Sequence, residues 1–325
     1  MLLLLSEPAY ADFGDRIGAT APDMRFLRMQ QDGSLRLGDQ SLAWEDASPD
    51  VAWLTADLFD GGPVRRFLRF ALNSRPQWLQ TAGAGTDHDV FRMLLDNGTR
   101  LTTSHVTGIP IAEYVVRAVL DHYQRPNVWA AERRDRRWAP HDFREVHGTT
   151  WLVVGLGAIG TEVASRARAF GATVLGVRRH PTGREPVDEC ATPDRLEAFL
   201  PRADVVVLAA PGGDSTRRMM DRTRLSIMRR GSLLVNVGRG SLVDEDALHA
   251  ALDAGVPETA ILDVTEDEPP GDDSWLWDHP RVTLTPHTSA GGTGRYERST
   301  RAFLDNLVRW QKGEPLVHEV TAGES

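Results

Sequence analysis

The chain has 325 residues, 41% of them hydrophobic and 26% charged, with a formal net charge of −9 at pH 7. That length is comfortable for two domains, and the composition is that of a globular protein. The acidic balance argues against a general nucleic-acid binder, the single Cys190 excludes an internal disulfide and fits a reducing compartment, and with Lys312 as the only lysine there is almost no room for Schiff-base or P-loop lysine chemistry.

Met1–Leu5 is apolar, but it is too short for a signal peptide and lacks a positive leading region, so it reads as a first strand running into Ser6-Glu7-Pro8. No run reaches the length of a membrane span, and a cytoplasmic protein is expected. Residues 1–103 read as a small α/β unit with strands at Leu2–Leu5, Arg25–Met29, Val51–Leu54, Gln77–Gln80 and Arg100–Thr102. Pro63–Asn73 fits a helix, with Val64, Phe67, Leu68 and Ala71 on one side and Pro76 beyond its end. A glycine-rich turn, Thr81–Asp87, follows the fourth strand. Its backbone amides can hold a carboxylate, and a plain tight turn is an equal reading.

Pro110–His122 predicts a helix, with Pro110 in the first turn and Ala112, Val115, Val116, Val119 and Leu120 on a broad apolar face. Asn127–Trp138 sets arginines between Trp129 and Trp138, which reads as a solvated arm or, in the favoured reading, as the arm of a homodimer. From residue 150 to about 289, strand and helix alternate. The strands are Trp151–Val154, Thr173–Val177, Asp204–Leu208, Ser232–Asn236, Ala260–Leu262 and Val282–Leu284. Helices fill the gaps, as at Asp244–Ala254. Alternating βα units imply a parallel, doubly wound sheet with ligands outside the carboxyl ends of its strands. Arg295–Trp310 reads as a helix returning to the first unit, so the small domain is expected to use both chain ends.

Trp151–Gly160 organises the chain: a buried-strand run leads into Gly155-Leu156-Gly157-Ala158-Ile159-Gly160 and then a helical pattern. Between a strand and a helix this is a dinucleotide fingerprint. Gly155 allows the turn, Gly157 admits a pyrophosphate to the backbone, and Gly160 lets helix and strand pack closely. The competing reading is a glycine-rich turn without a ligand. About twenty residues on, where an NAD site carries an acid for the ribose 2′-OH, the chain reads Val177-Arg178-Arg179-His180. Arg178 and Arg179 favour a 2′-phosphate, hence NADP with NAD still possible, unless both are plain surface charge.

Other strand ends carry Pro211, Arg239, Asp263, Glu268 and His287. Arg239, between Gly238 and Gly240, can pair with a substrate carboxylate and reach a carbonyl oxygen. His287 follows Pro286, and the acidic run Asp263–Glu268 can lie beside it, where a carboxylate favours a protonated ring suited to giving up a proton. Cys190, in a polar stretch, reads as incidental. The remaining histidines show no ligand-like spacing, and no metal site is expected.

The stretches GLGAIG at 155–160, NVGRG at 236–240, LDVTEDEP at 262–269 and LWDHPRVTLTPH at 276–287, with AGAGTDH at 82–88 and the IAEYVV helix at 111–116, resemble the D-2-hydroxyacid dehydrogenases over nearly the whole chain. The resemblance implies two Rossmann-like or flavodoxin-like domains with a cleft between them: 1–103 plus 290–325 for substrate, and 104–289 for the dinucleotide. It implies a catalytic Arg239, Glu268 (rather than Glu266) and His287, with Ala84 and Gly85 holding the substrate carboxylate beside Arg239. It implies cofactor contacts at Ala158, Ile159, Arg178, Ala210, Pro211, Val237, Gly238 and Asp263. The expected activity is hydride transfer between a nicotinamide cofactor and a small 2-oxo acid, of glyoxylate/hydroxypyruvate type. The alternatives are phosphoglycerate, formate or phosphite as substrate, or a dinucleotide-sensing corepressor. The short tail after Trp310 speaks against an appended regulatory domain and against the corepressors' long tails. Two features depart from the family pattern: Arg178 stands where an acid is usual, and the helix reads AEY where many members read AEH.

Overall fold

The computed structural model describes residues 1–83, 85, 86 and 88–320. The chain divides into two compact units, 1–107 with 293–325, and 108–292. The division falls a few residues from the expected 103/104 and 289/290. The turn at His105–Thr107 is tied to the helix Arg295–Lys312, where Arg298 Nε donates to Val106 O at 3.4 Å. Gly292 instead packs on Pro110 so closely that a Cβ there would meet the ring at 2.5 Å.

The strands of the first unit are β1 (Leu2–Ser6), β2 (Arg25–Met29), β3 (Leu35–Leu37), β4 (Gln40–Leu42), β5 (Val51–Leu54), β6 (Trp78–Thr81) and β7 (Arg100–Thr102). They form one sheet in the order β4-β3-β2-β1-β5-β6-β7. Pairings from β2 through β7 are parallel, while β3 and β4 add an antiparallel edge hairpin absent from the sequence reading. Three-residue strands carrying Arg36, Gln40 and Ser41 give no alternation to read. The helix Glu7–Thr20 was also not anticipated. Its start is nevertheless written in the sequence: Ser6 caps it, accepting from Ala9 N at 3.1 Å, and Pro8 sits in the first turn.

Alternate residues of β1 face opposite sides, Leu2 and Leu4 into one core cluster and Leu3 and Leu5 into the other. The second cluster receives the C-terminal helix Arg295–Lys312, where Phe303 stacks on Trp53 with centroids 4.4 Å apart and on Trp78 at 5.4 Å. This accounts for the return of the chain end to the first unit.

The second unit holds β8 (Thr150–Val154), β9 (Thr173–Val177), β10 (Glu189–Ala191), β11 (Val205–Leu208), β12 (Leu233–Asn236), β13 (Thr259–Leu262) and β14 (Val282–Leu284). All pairings are parallel, in the order β10-β9-β8-β11-β12-β13-β14. The apolar runs suit strands covered on both faces. Trp151, Val153, Val205, Val207, Leu233 and Val235 fill one core, and Leu152, Val154, Val206, Leu208 and Leu234 fill the other. Burying each such side chain contributes about 1.5–3 kcal/mol. The strand order reverses between β8 and β11, and at this switch point a doubly wound sheet opens a crevice at its strand ends.

The helix expected at Pro110–His122 spans Gly108–Gln124, and the stretch expected to be an arm starts as a helix, Pro126–Arg134. No described helix is long and apolar enough to cross a membrane.

Candidate active site

Each fingerprint glycine has a separate job. Gly155 turns the chain with φ +95°, and a Cβ on it would lie 2.6 Å from Ala210 N. Gly160, in the first turn of the helix Ala158–Ala169, packs so closely that a Cβ would fall 1.9 Å from Gly155 O. Gly157, with φ −85°, has nothing within 4 Å of its Cβ position. It stands at the N-cap of the helix Ala158–Ala169, which has no side-chain cap and no acid in its first turn. An open approach over Gly157 and uncapped amides beyond it, Ala158 and Ile159 among them, fit the pyrophosphate of a dinucleotide.

The neighbouring loops close in by the same means. A Cβ on Gly238 would meet Ala210 O at 2.7 Å, so the NVGRG loop lies against the turn at Ala210-Pro211. A Cβ on Gly240 would meet Thr265 C and O at 1.9 Å, so the other end of that loop lies against the loop after β13. Asn236 clamps the loop, its Oδ1 accepting from Gly238 N at 3.1 Å and its Nδ2 donating to Arg239 O at 2.8 Å. Val237 is buried, and the partly exposed Arg239 donates through Nη1 to Gly238 O at 2.8 Å.

Beyond β13, Glu268 Oε2 meets His287 Nδ1 at 2.7 Å. Its Oε1 accepts from Thr265 N at 3.3 Å, which sets the carboxylate against the residue that Gly240 touches. Glu266 points elsewhere and pairs with Arg217 and Arg218. The two acids thus have different partners, Glu268 an imidazole and Glu266 two arginines. His287 has a left-handed backbone, φ +46°, which few side chains other than Asn, Asp and His adopt. With Nδ1 committed to a carboxylate, Nε2 is the ring atom left to exchange a proton with a ligand.

Asp263, 1% exposed, organises the His287 loop. Its Oδ1 accepts from Thr285 Oγ1 at 2.7 Å and Thr288 N at 2.9 Å, its Oδ2 accepts from Ser289 N at 3.0 Å, and its carbonyl accepts from His287 N at 2.9 Å. Sequence reasoning placed Asp263 at a cofactor contact and missed Thr285, Thr288 and Ser289, whose role lies in the loop's folded path.

After β9, Arg178 Nη1 donates to Glu185 Oε1 at 2.9 Å, and Arg179 is exposed. Glu185 also accepts from Thr182 N and Thr182 Oγ1, at 2.7 and 2.8 Å, and this donation holds its carboxyl at about 2. Arg178 is thus held by an ionised acid that the sequence reading missed. In the first unit, Gly83 O accepts from Ser104 N at 3.0 Å and Gly85 is partly exposed, while Ala84 lies outside the described residues.

Among the described residues, His249, Asp253 and His279 bring ligand-type atoms within 4.8 Å of one another, a grouping that the spacing of the histidines did not reveal. His279 Nδ1 accepts from Arg281 N at 3.2 Å, which leaves the proton on Nε2, facing Asp253 Oδ1 at 3.4 Å. That arrangement is a hydrogen bond and opposes a metal on Nε2.

A glycine-lined helix N-terminus at the switch point of a 3-2-1-4-5-6-7 sheet defines a dinucleotide-binding α/β protein. The family model for the NAD binding domain of D-isomer specific 2-hydroxyacid dehydrogenases matches residues 116–289. The chain belongs to that family, whose binding domain takes a nicotinamide cofactor. It is 36% identical over 196 residues, 60% of this chain and 58% of the relative, to a glyoxylate reductase of Thermococcus kodakarensis. Other curated relatives are named D-3-phosphoglycerate dehydrogenase, and the chain spans about half the length of the curated relatives it matches. Among solved structures, it is similar to a D-isomer specific 2-hydroxyacid dehydrogenase family protein of Aeromonas salmonicida, at 29% identity and TM-score 0.79 over 98% of both chains. It is also similar to a D-isomer specific 2-hydroxyacid dehydrogenase of Xanthobacter autotrophicus in complex with NADPH and MES, at 28% identity and TM-score 0.75, over 98% of this chain and 97% of that one.

Proposed function

We propose that the protein is a reductase of small 2-oxo acids, reversible to D-2-hydroxy acids, with glyoxylate or hydroxypyruvate the favoured substrate type. The observation that carries this reading is the His287 Nδ1 to Glu268 Oε2 pair at 2.7 Å, set beside the loop that bears Arg239. The first unit is assigned the substrate-binding role and the second the dinucleotide.

Arg239 is assigned to the substrate carboxylate and to polarising the carbonyl, and the Ala84-Gly85 turn keeps the carboxylate role that the family resemblance implies. A reduced nicotinamide, when bound, supplies a hydride to the carbonyl carbon. His287 delivers the proton from Nε2 to the carbonyl oxygen, and the neutral ring keeps its Nδ1 proton on Glu268. Glu268 acts by orienting the ring through Nδ1. Gly155, Gly157, Ala158, Ile159 and Gly160 take the pyrophosphate. Ala210, Pro211, Val237, Gly238 and Asp263 line the adjoining strand ends.

NADP is preferred over NAD in this reading. Arg178, oriented by Glu185, offers a fixed guanidinium and Arg179 an exposed one, both suited to a 2′-phosphate. The similar Xanthobacter autotrophicus protein is a complex with NADPH. A homodimer through the 127–138 stretch is supported by its bare aromatics: Trp138 is 100% exposed and Trp129 40%.

Chromatographic analysis of products tests the reading. Incubation with NADPH and hydroxypyruvate is expected to yield glycerate, and Arg239→Gln is expected to yield almost none. Cofactor binding without product from any small 2-oxo acid would favour a sensing role instead. Product from phosphoglycerate, formate or phosphite alone would move the substrate class.

A further inference from the structure

The structure gives Tyr114, the tyrosine of the AEY stretch, a specific neighbour. It lies on the helix Gly108–Gln124, half-buried, with its hydroxyl 2.7 Å from Thr285 Oγ1. Thr285 Oγ1 in turn donates to Asp263 Oδ1 at 2.7 Å. A threonine hydroxyl has one proton. The Asp263 oxygen also receives the Thr288 amide and so acts as acceptor toward both. Thr285 therefore spends its proton on Asp263 and accepts the proton of Tyr114. The chain of hydroxyls has a fixed direction: Tyr114 to Thr285 to Asp263. Burial, the dominant influence on this phenol, pushes Tyr114 up, which keeps the donor in place across the working pH range.

His287 hangs between the two ends of this arrangement. Thr285 precedes it by two residues, and Thr288 and Ser289 follow it. All three donate to the one buried carboxylate, while the His287 amide donates to the Asp263 carbonyl. A left-handed backbone at a non-glycine residue persists only when its surroundings over-determine it. Tyr114 joins those surroundings from the helix Gly108–Gln124, a separate element packed on the loop.

We propose that Tyr114 is a positioning residue for proton transfer, setting the His287 ring through the directed Tyr114–Thr285–Asp263 hydrogen bonds. The inference rests on the reading of His287 as proton donor. Removing the Tyr114 hydroxyl frees Thr285 to rotate and loosens one of the anchors of the loop. Arg239 and the glycine loop make none of these hydrogen bonds, so binding of the oxo acid stays close to its starting value.

The test compares Tyr114→Phe, Thr285→Val, Thr285→Ser and the double variant Tyr114→Phe/Thr285→Val. Tyr114→Phe is expected to lower kcat about three- to tenfold, the loss of one ordinary hydrogen bond, with KM for the oxo acid changed less than about twofold. The solvent deuterium isotope effect on kcat is expected to rise. Thr285→Ser, which keeps the hydroxyl, is expected to hold most of kcat. The double variant is expected to be no slower than Thr285→Val, because both changes cut one chain. Independently of turnover, spectra of ¹⁵N-histidine-labelled protein are expected to show the His287 ring signals moved or broadened by Tyr114→Phe, with those of His249 unchanged. Unmoved His287 signals, an unchanged kcat, or losses that multiply in the double variant would overturn the proposal. A moved His287 signal together with full activity of His287→Ala would leave the positioning intact and remove the proton-donor reading.

Discussion

The fingerprint glycines invite a paired substitution, Gly157→Ala against Gly160→Ala, because one methyl group does opposite things three residues apart. At Gly157 the methyl enters open space with a backbone, φ −85°, that alanine adopts without strain. Folding stability should be unchanged or slightly improved, since alanine restricts the unfolded chain. The methyl does occupy the approach to the uncapped amides of the helix Ala158–Ala169. Dinucleotide affinity is expected to fall about tenfold or more, the loss of about 1.4 kcal/mol of backbone contact. At Gly160 the methyl would sit 1.9 Å from Gly155 O, well inside contact distance. The helix must then retreat from the turn, and the cost reaches or exceeds the upper end of about 1–3 kcal/mol seen for overpacking. For a unit of this size that is a fall in Tm of roughly 6–12 °C, at about 2–4 °C per kcal/mol. Thermal scans without ligand and fluorescence titration with NADPH separate the two effects. Gly157→Ala binding NADPH like the parent protein would refute the assignment of the pyrophosphate to this turn.

Removing the proton donor with His287→Ala should lower kcat by about 10²–10⁴, the usual worth of general acid–base catalysis, and a loss under about tenfold would take His287 out of that role. Glu268→Gln should lower kcat with little effect on KM, whereas Glu266→Gln, whose carboxylate pairs with Arg217 and Arg218, should leave kcat near its starting value; equal effects would undo the distinction between the two acids. Partial desolvation and the His318 ring, 3.7 Å away between centroids, push His105 down to about 4, and partial desolvation lowers His318 as well, although both side chains keep contact with solvent. Because both are lowered in the fold, their neutral forms favour it; stability should be full above about pH 6.5 and fall as the pH drops toward 4. His105→Gln should flatten that part of a stability-versus-pH curve, and an unaltered slope would show that the pair does not cause it. Trp138→Arg should shift sedimentation toward a monomer if the arm joins two copies, and an unchanged profile would remove the arm from the interface.

Much of this was legible in the sequence because it depends on local patterns. The apolar runs of β8, β11 and β12 and the spacing of Gly155, Gly157 and Gly160 follow from strand burial and backbone approach, which single residues report. The strand ends carrying Arg239, Asp263 and His287 follow from the alternation of strand and helix. Other features depend on partners distant in the chain, and the sequence alone did not give them. Glu185 turns back onto Arg178 through a loop with no periodic signal. Tyr114 meets Thr285 across 171 positions, and only the AEY departure hinted at it. The hairpin of β3 and β4 is too short for a pattern, and the helix Glu7–Thr20 carries its signal in its cap, Ser6, and in Pro8 rather than in a broad apolar stripe, burying only Ala9, Gly14 and Ile17.

The central claim is most directly tested by following absorbance at 340 nm with glyoxylate and hydroxypyruvate, each with NADPH and with NADH. The account predicts oxidation of NADPH on at least one of them, faster than of NADH, and near-complete loss of that rate in His287→Ala. No oxidation of either cofactor on any small 2-oxo acid, with NADPH binding still seen by fluorescence, would contradict it.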